Sequence, residues 1–128
     1  MKLLILVLLI TGVVLSSCSH RLVGTWNIQK FETSTHDQEG VSLNNIGSIT
    51  FKGNGSGVKS LNYSVLGITR DDSLPFTWKV SEHMITIEGE NSSLAKSWLQ
   101  IVDRKNFQQW KSTDGSNEVQ ILELMRKK

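Results

Sequence analysis

One thiol, three imidazoles and two short acidic clusters are the groups in this 128-residue chain that could do chemistry beyond packing. Cys18 is the only cysteine, which rules out an internal disulfide and any multi-cysteine metal site. What remains to it is nucleophilic chemistry, since a thiol forms a stable thioether where a neighbouring serine cannot. His20, His36 and His83 show no metal-ligand spacing, and no Ser, His and acid fall into a recognisable catalytic motif. His36-Asp37-x-Glu39 offers nitrogen and oxygen donors, yet its setting reads as a solvated loop, as does that of Asp71-Asp72. The sequence assigns no catalytic residue, no metal and no cofactor, and the expectation is a protein that is not an enzyme.

Cys18 closes a distinctive segment. Lys2 precedes a charge-free stretch from Leu3 to Leu15. As a helix that stretch reaches about 20 Å, short of the roughly 30 Å hydrocarbon core of a bilayer. A helical signal-peptide core fits this length better than a membrane span. Leu15-Ser16-Ser17-Cys18 resembles the lipobox of bacterial lipoproteins: an aliphatic residue, two small residues, then cysteine. The resemblance implies a diacylglycerol thioether on Cys18, cleavage between Ser17 and Cys18, and a palmitate-type acyl chain on the new amino terminus. One chain holds a protein to a membrane marginally, whereas two or more hold it stably. Ser19 is not the Asp that retains such proteins at the inner membrane, so the resemblance implies the outer membrane, facing the periplasm. The chain then divides into a signal peptide at 1–17, a lipidated tether at 18–21 and one domain at 22–128.

After Cys18 the apolar spacing is two rather than three and four, so the domain reads as all-β. Eight strands are expected, at Leu22 to Glu32, Gly47 to Lys52, Val58 to Leu66, Pro75 to Val80, Met84 to Glu88, Lys96 to Asp103, Phe107 to Ser112 and Glu118 to Met125. The intervening segments Thr33 to Ile46, Gly67 to Leu74 and Gly89 to Ala95 read as long polar loops. Gly53 to Gly57, Ser81 to His83 and Arg104 to Asn106 read as tight turns. In an up-and-down meander the long loops share one end and the tight turns the other. Eight antiparallel strands can close into a barrel and so lose their exposed edges, with a two-sheet sandwich as the alternative.

Gly24-Thr25-Trp26, within Leu-Val-Gly-Thr-Trp, resembles the Gly-x-Trp that opens the first strand of lipocalins. Gly47-Ser48-Ile49-Thr50-Phe51 before a Gly/Asn turn, and Phe76-Thr77-Trp78 leading into Met84-Ile85-Thr86-Ile87, are similar to small lipocalin-like bacterial lipoproteins. The resemblance implies a barrel base formed by Gly24, Trp26 and Arg126, with Arg126 over the tryptophan ring. Residues expected to face inward, as lumen or ligand contacts, are Trp26, Ile28, Phe51, Phe76, Trp78, Ile87 and Ile101. The chain is shorter than most lipocalins, which implies a smaller lumen and leaves little room for a bulky lipid.

Charge is nearly balanced at +2, and 13 basic against 12 acidic residues remain without Lys2, which argues against nucleic acid as a partner. The meander gathers Arg21, Lys52, Arg104, Lys105, Arg126, Lys127 and Lys128 at the tight-turn end, and most acids at the other. The tether Ser19 to Arg21 spans at most about 10 Å, so the basic end is expected to rest on the membrane. Two functions follow as expectations: an anchored carrier of a small hydrophobic molecule, or an anchored module with a filled barrel that binds another envelope protein through its loops.

Overall fold

Alternating inward and outward side chains build nine strands in the computed structural model of the protein, which describes residues 20–35, 38–65, 67–90, 92–113 and 118–128. They are β1 (Gly24–Thr35), β2 (Gln38–Phe51), β3 (Ser56–Val65), β4 (Ile68–Asp72), β5 (Phe76–Ser81), β6 (Met84–Glu88), β7 (Ser97–Asp103), β8 (Phe107–Ser112) and β9 (Glu118–Arg126). All pair antiparallel in one sheet, in the order β2-β1-β9-β8-β7-β6-β5-β3, and β3 pairs back onto β2 to close the ring. The expected eight-walled barrel is therefore the architecture, and closure excludes the two-sheet sandwich.

The ninth strand adds no wall. β4 pairs with β3 from Leu61↔Asp72 to Val65↔Ile68, and β5 takes the same edge of β3 at Gly57↔Phe76 and Ser56↔Thr77 in unbroken register. The two are halves of one barrel strand interrupted at 73–75, where Pro75 has no N–H to offer the ladder. This corrects the expected loop at Gly67 to Leu74. The expected loop from Thr33 to Ile46 is corrected likewise: β1 runs on to Thr35 and pairs with β2 as far as Thr35↔Gln38. Both stretches look polar because the barrel mouth tolerates polar side chains on its inner face, which hides the alternation that marks a strand.

Bulges retune which face points inward. In β1 the buried positions pass from Trp26 and Ile28 to Phe31, with a register shift around Gln29. β2 carries its own irregularity opposite, with Asn45 at φ 54. Gly47 follows at φ 140, where a Cβ would lie 2.0 Å from the Ser60 carbonyl oxygen, so only glycine lets β2 approach β3 there. β9 pairs with β8 without a shift. Its mixed apolar parity resolves into Leu122 and Leu124 buried inside, with Ile121 half-buried and Met125 exposed on the outer wall.

The core runs from Leu22 to Leu124 and includes three fully buried tryptophans, Trp26, Trp98 and Trp110. Every wall and every one of these core residues lies between 22 and 126, so residues 19–128 hold the complete barrel.

Candidate functional site

The barrel interior is best described from its base upward. At the tight-turn end, residues 20–23 fold under the barrel as a cap. Leu22 is fully buried, the Trp26 indole N–H donates to the Leu22 carbonyl at 2.9 Å, and Leu22 N–H donates to His20 Nδ1. The Arg126 guanidinium lies 4.2 Å from the Trp26 ring centroid, opposite it in the β1–β9 register. It donates to the carbonyls of Arg21, Val23 and Lys105, which ties the cap and the 104–106 turn to the last strand. Its Nη1 lies 2.7 Å from where a Cβ on Gly24 would sit, and the φ of 131 there disfavours any side chain, so glycine suits the position beneath it.

Above the cap the barrel is filled. Phe51 sits at the centre of edge-to-face contacts with Phe76, Trp78 and Trp110 at 5.5, 5.2 and 5.9 Å. Beside them, Gln108 accepts from Gln100 and from the Trp110 indole N–H and donates to Asp103, so even the polar groups buried here are paired. No buried side-chain polar atom among the described residues lacks a partner.

Next comes a charged layer that no sequence pattern announced. Lys59 on β3 and Asp72 on β4 form an ion pair at 2.5 Å with side chains 0% and 7% exposed. Ser92 Oγ donates to the other Asp72 oxygen at 2.8 Å, so the pair also fastens the segment between β6 and β7. Asp72 is thus an interior strand residue rather than half of a loop pair. The same segment, expected as a free polar flap, tucks Leu94 completely into the barrel, where its carbonyl accepts from the Trp98 indole.

Over this layer the barrel opens into a cavity of about 640 Å³. Phe31, Val41, Leu43, Tyr63 and Ile68 supply an apolar wall, Ser92, Ser93 and Gln120 a hydroxyl and amide floor, and Arg70 and Glu118 flank it. Tyr63 is held by a hydroxyl bond to Ser93 at 3.0 Å and an aromatic contact to Phe31 at 6.1 Å. Glu118 accepts from Gln120, whose own oxygen is bonded by the Lys96 ammonium. The volume lies within the few hundred to about 1,000 Å³ of ordinary small-molecule sites, and a mostly apolar wall with a few placed polar groups is their usual lining.

None of the side chains expected to line a lumen reaches this cavity. Ile28, Phe51, Phe76 and Ile87 are buried in the packed half below it, and Trp78 is half-buried at the tight-turn end, donating to the Lys52 and Ser56 carbonyls. Ile101 is a correction: it is 51% exposed on the outer wall, at a bulge between Gln100 and Val102. β7 instead turns Trp98 and Gln100 inward, a parity that the tryptophan itself could have indicated. Of the cavity residues, Thr33, Val41, Leu43, Ile68 and Arg70 sit in the two stretches read as loops and Ser92 and Ser93 in a third, while Phe31, Tyr63, Glu118 and Gln120 lie on expected strands without having been singled out. On the outer wall, Lys30 is held above the ordinary lysine range, first by its hydrogen bond to Glu32 and then by the charges of Glu32 and Glu123. Ser17, Cys18, His36 and Asp37 lie outside the described residues, and no group of three metal-ligating side chains occurs among the described ones.

A closed eight-walled antiparallel barrel, shut at one end by a Gly-x-Trp strand beneath an arginine and hollow at the other, has the shape of a calyx. The family model of the lipocalin-like domain matches residues 22–124, and the chain belongs to that family. No curated protein matches it.

Proposed function

We propose that this protein is a lipid-anchored carrier or receptor of the bacterial cell envelope, which holds a small hydrophobic molecule in its open-end cavity without catalysis. The observation that carries this reading is the cavity itself: an apolar chamber above a fully packed core, in a barrel closed at its other end. The test is titration of residues 19–128 with N-phenyl-1-naphthylamine, a neutral dye that brightens in apolar sites. Saturable one-to-one binding is expected, and Thr33→Trp, which fills the cavity from β1, abolishes it while leaving the circular dichroism of the barrel intact. No saturable binding, or binding indifferent to Thr33→Trp, contradicts the proposal.

Anchoring through Cys18 is part of the proposal, with the protein standing on its basic base at the periplasmic face of the outer membrane. The cap supports this orientation, because Arg21 is bonded to Asp103 and Arg126 and the His20 ring packs against Trp78. Cys18 stands two residues before His20, a reach of at most about 7 Å. Lys52, Arg104, Lys105, Lys127 and Lys128 follow or precede strands at that same end.

The alternative, an interaction module, has its own observation in the filled lower barrel and the exposed apolar side chains Leu99, Ile101 and Met125 on the outer wall. It is favoured if the cavity takes no dye.

A further inference from the structure

The charges around the cavity are not equally engaged. Glu118 is already hydrogen-bonded by Gln120, within the chain that begins at Lys96. On β4, Asp71 accepts from Asn62 at 2.6 Å, and Asp72 is spent on Lys59 and Ser92. Arg70 immediately precedes those two acids in sequence, yet no described residue gives its guanidinium an ion pair or a hydrogen bond. Its position is inward: it is opposite Tyr63 in the β3–β4 register and has the parity of buried Asp72. The cavity thus pairs a wall of Phe31, Val41, Leu43, Tyr63 and Ile68 with one unengaged, planar, permanently charged donor group at its side.

We infer that the ligand is an amphiphile with a single apolar chain and an anionic head group, its chain against the Phe31 and Leu43 side and its head on the Arg70 guanidinium. This rests on the binding role proposed above and specifies the ligand class. A guanidinium presents paired N–H donors that match a carboxylate or phosphate, and charge-assisted bonds of this kind are about twice as strong as neutral ones. Arg70 is exposed, which screens the attraction, so discrimination of about tenfold is expected rather than several hundredfold.

The experiment is displacement of N-phenyl-1-naphthylamine from residues 19–128 by three twelve-carbon competitors: dodecanoate, dodecan-1-ol and dodecylamine. In the unaltered protein dodecanoate should displace the dye at about one tenth the concentration of the alcohol, with the amine weakest. Arg70→Gln should bring acid and alcohol to within about threefold of each other, and Arg70→Lys should restore part of the preference. Equal displacement by acid and alcohol in the unaltered protein overturns the inference, as does an acid preference that survives Arg70→Gln. In both cases dye binding persists, and the carrier role stands. If the dye itself does not bind, the carrier role falls and this inference with it.

Discussion

Replacing Lys59 by Met should be among the most damaging single changes to the barrel, although Met nearly matches its length. The lysine ammonium is wholly buried 2.5 Å from an Asp72 oxygen, and the Asp72 side chain is only 7% exposed. Without Lys59 that carboxylate keeps the Ser92 hydroxyl at 2.8 Å and a distant Leu74 N–H at 3.4 Å. Breaking a buried pair from one side costs about 3–5 kcal/mol, and the two remaining donors place this case near the lower figure. Removing both charges, as in Lys59→Met with Asp72→Leu, leaves no buried charge uncompensated and should return stability to within about 1 kcal/mol of the unaltered protein. Urea unfolding of residues 19–128, followed by circular dichroism, reads the difference. With a slope of about 2 kcal/mol per molar, the single variant's midpoint should fall by about 1.5 M and the double variant's by about 0.5 M or less. A single-variant midpoint unchanged within about 0.3 M, or a double variant as weakened as the single, would refute the assignment of this layer as a compensated buried pair.

Three further outcomes follow from the same geometry. Arg126→Ala should cost about 2 kcal/mol in urea unfolding, and Arg126→Lys should recover less than half of it, because an ammonium cannot stack on Trp26 while serving three carbonyls. Trp98→Ala should cost about 3–5 kcal/mol, whereas Ile101→Gln should stay within about 0.5 kcal/mol, since one side chain is wholly buried and the other faces solvent. Neutralising Arg104, Lys105, Lys127 and Lys128 to Gln should weaken binding of residues 19–128 to anionic vesicles by at least about tenfold in a sedimentation assay at low salt, at about 1 kcal/mol per charge near the surface. Unchanged binding would contradict the proposed orientation.

The parts of the fold legible in the sequence were those with strong contrast between neighbours. Ile49 with Phe51, and Ile85 with Ile87, alternate with polar residues and lie at the packed end, where the inner face must be apolar and the outer face meets water. Contrast fails at the open end. There Thr33, Arg70 and Gln120 face inward beside a cavity, so Thr33–Thr35 and Ile68–Asp72 lose the signature of strands although they pair as strands. Ile101 was misassigned for a different reason. Period two from buried Trp98 and Gln100 places Ile101 outward, so the error lay in giving the inner face of β7 to the aliphatic residue rather than to the tryptophan. The base was readable through Gly24, Trp26 and Arg126 because the resemblance supplied a long-range pairing that local pattern lacks. The Lys59–Asp72 pair, thirteen residues apart, needed the β3–β4 register before either residue could be seen as buried.

The central claim is that the open-end chamber is occupied in the cell by a small apolar ligand. Native mass spectrometry of residues 19–128, purified without detergent from a bacterial host of its own type, tests it most directly. The expected spectrum shows the barrel carrying one additional small mass, released on collisional activation and absent from Thr33→Trp prepared in parallel. A spectrum of the bare chain alone, or an added mass that persists in Thr33→Trp, would contradict the account.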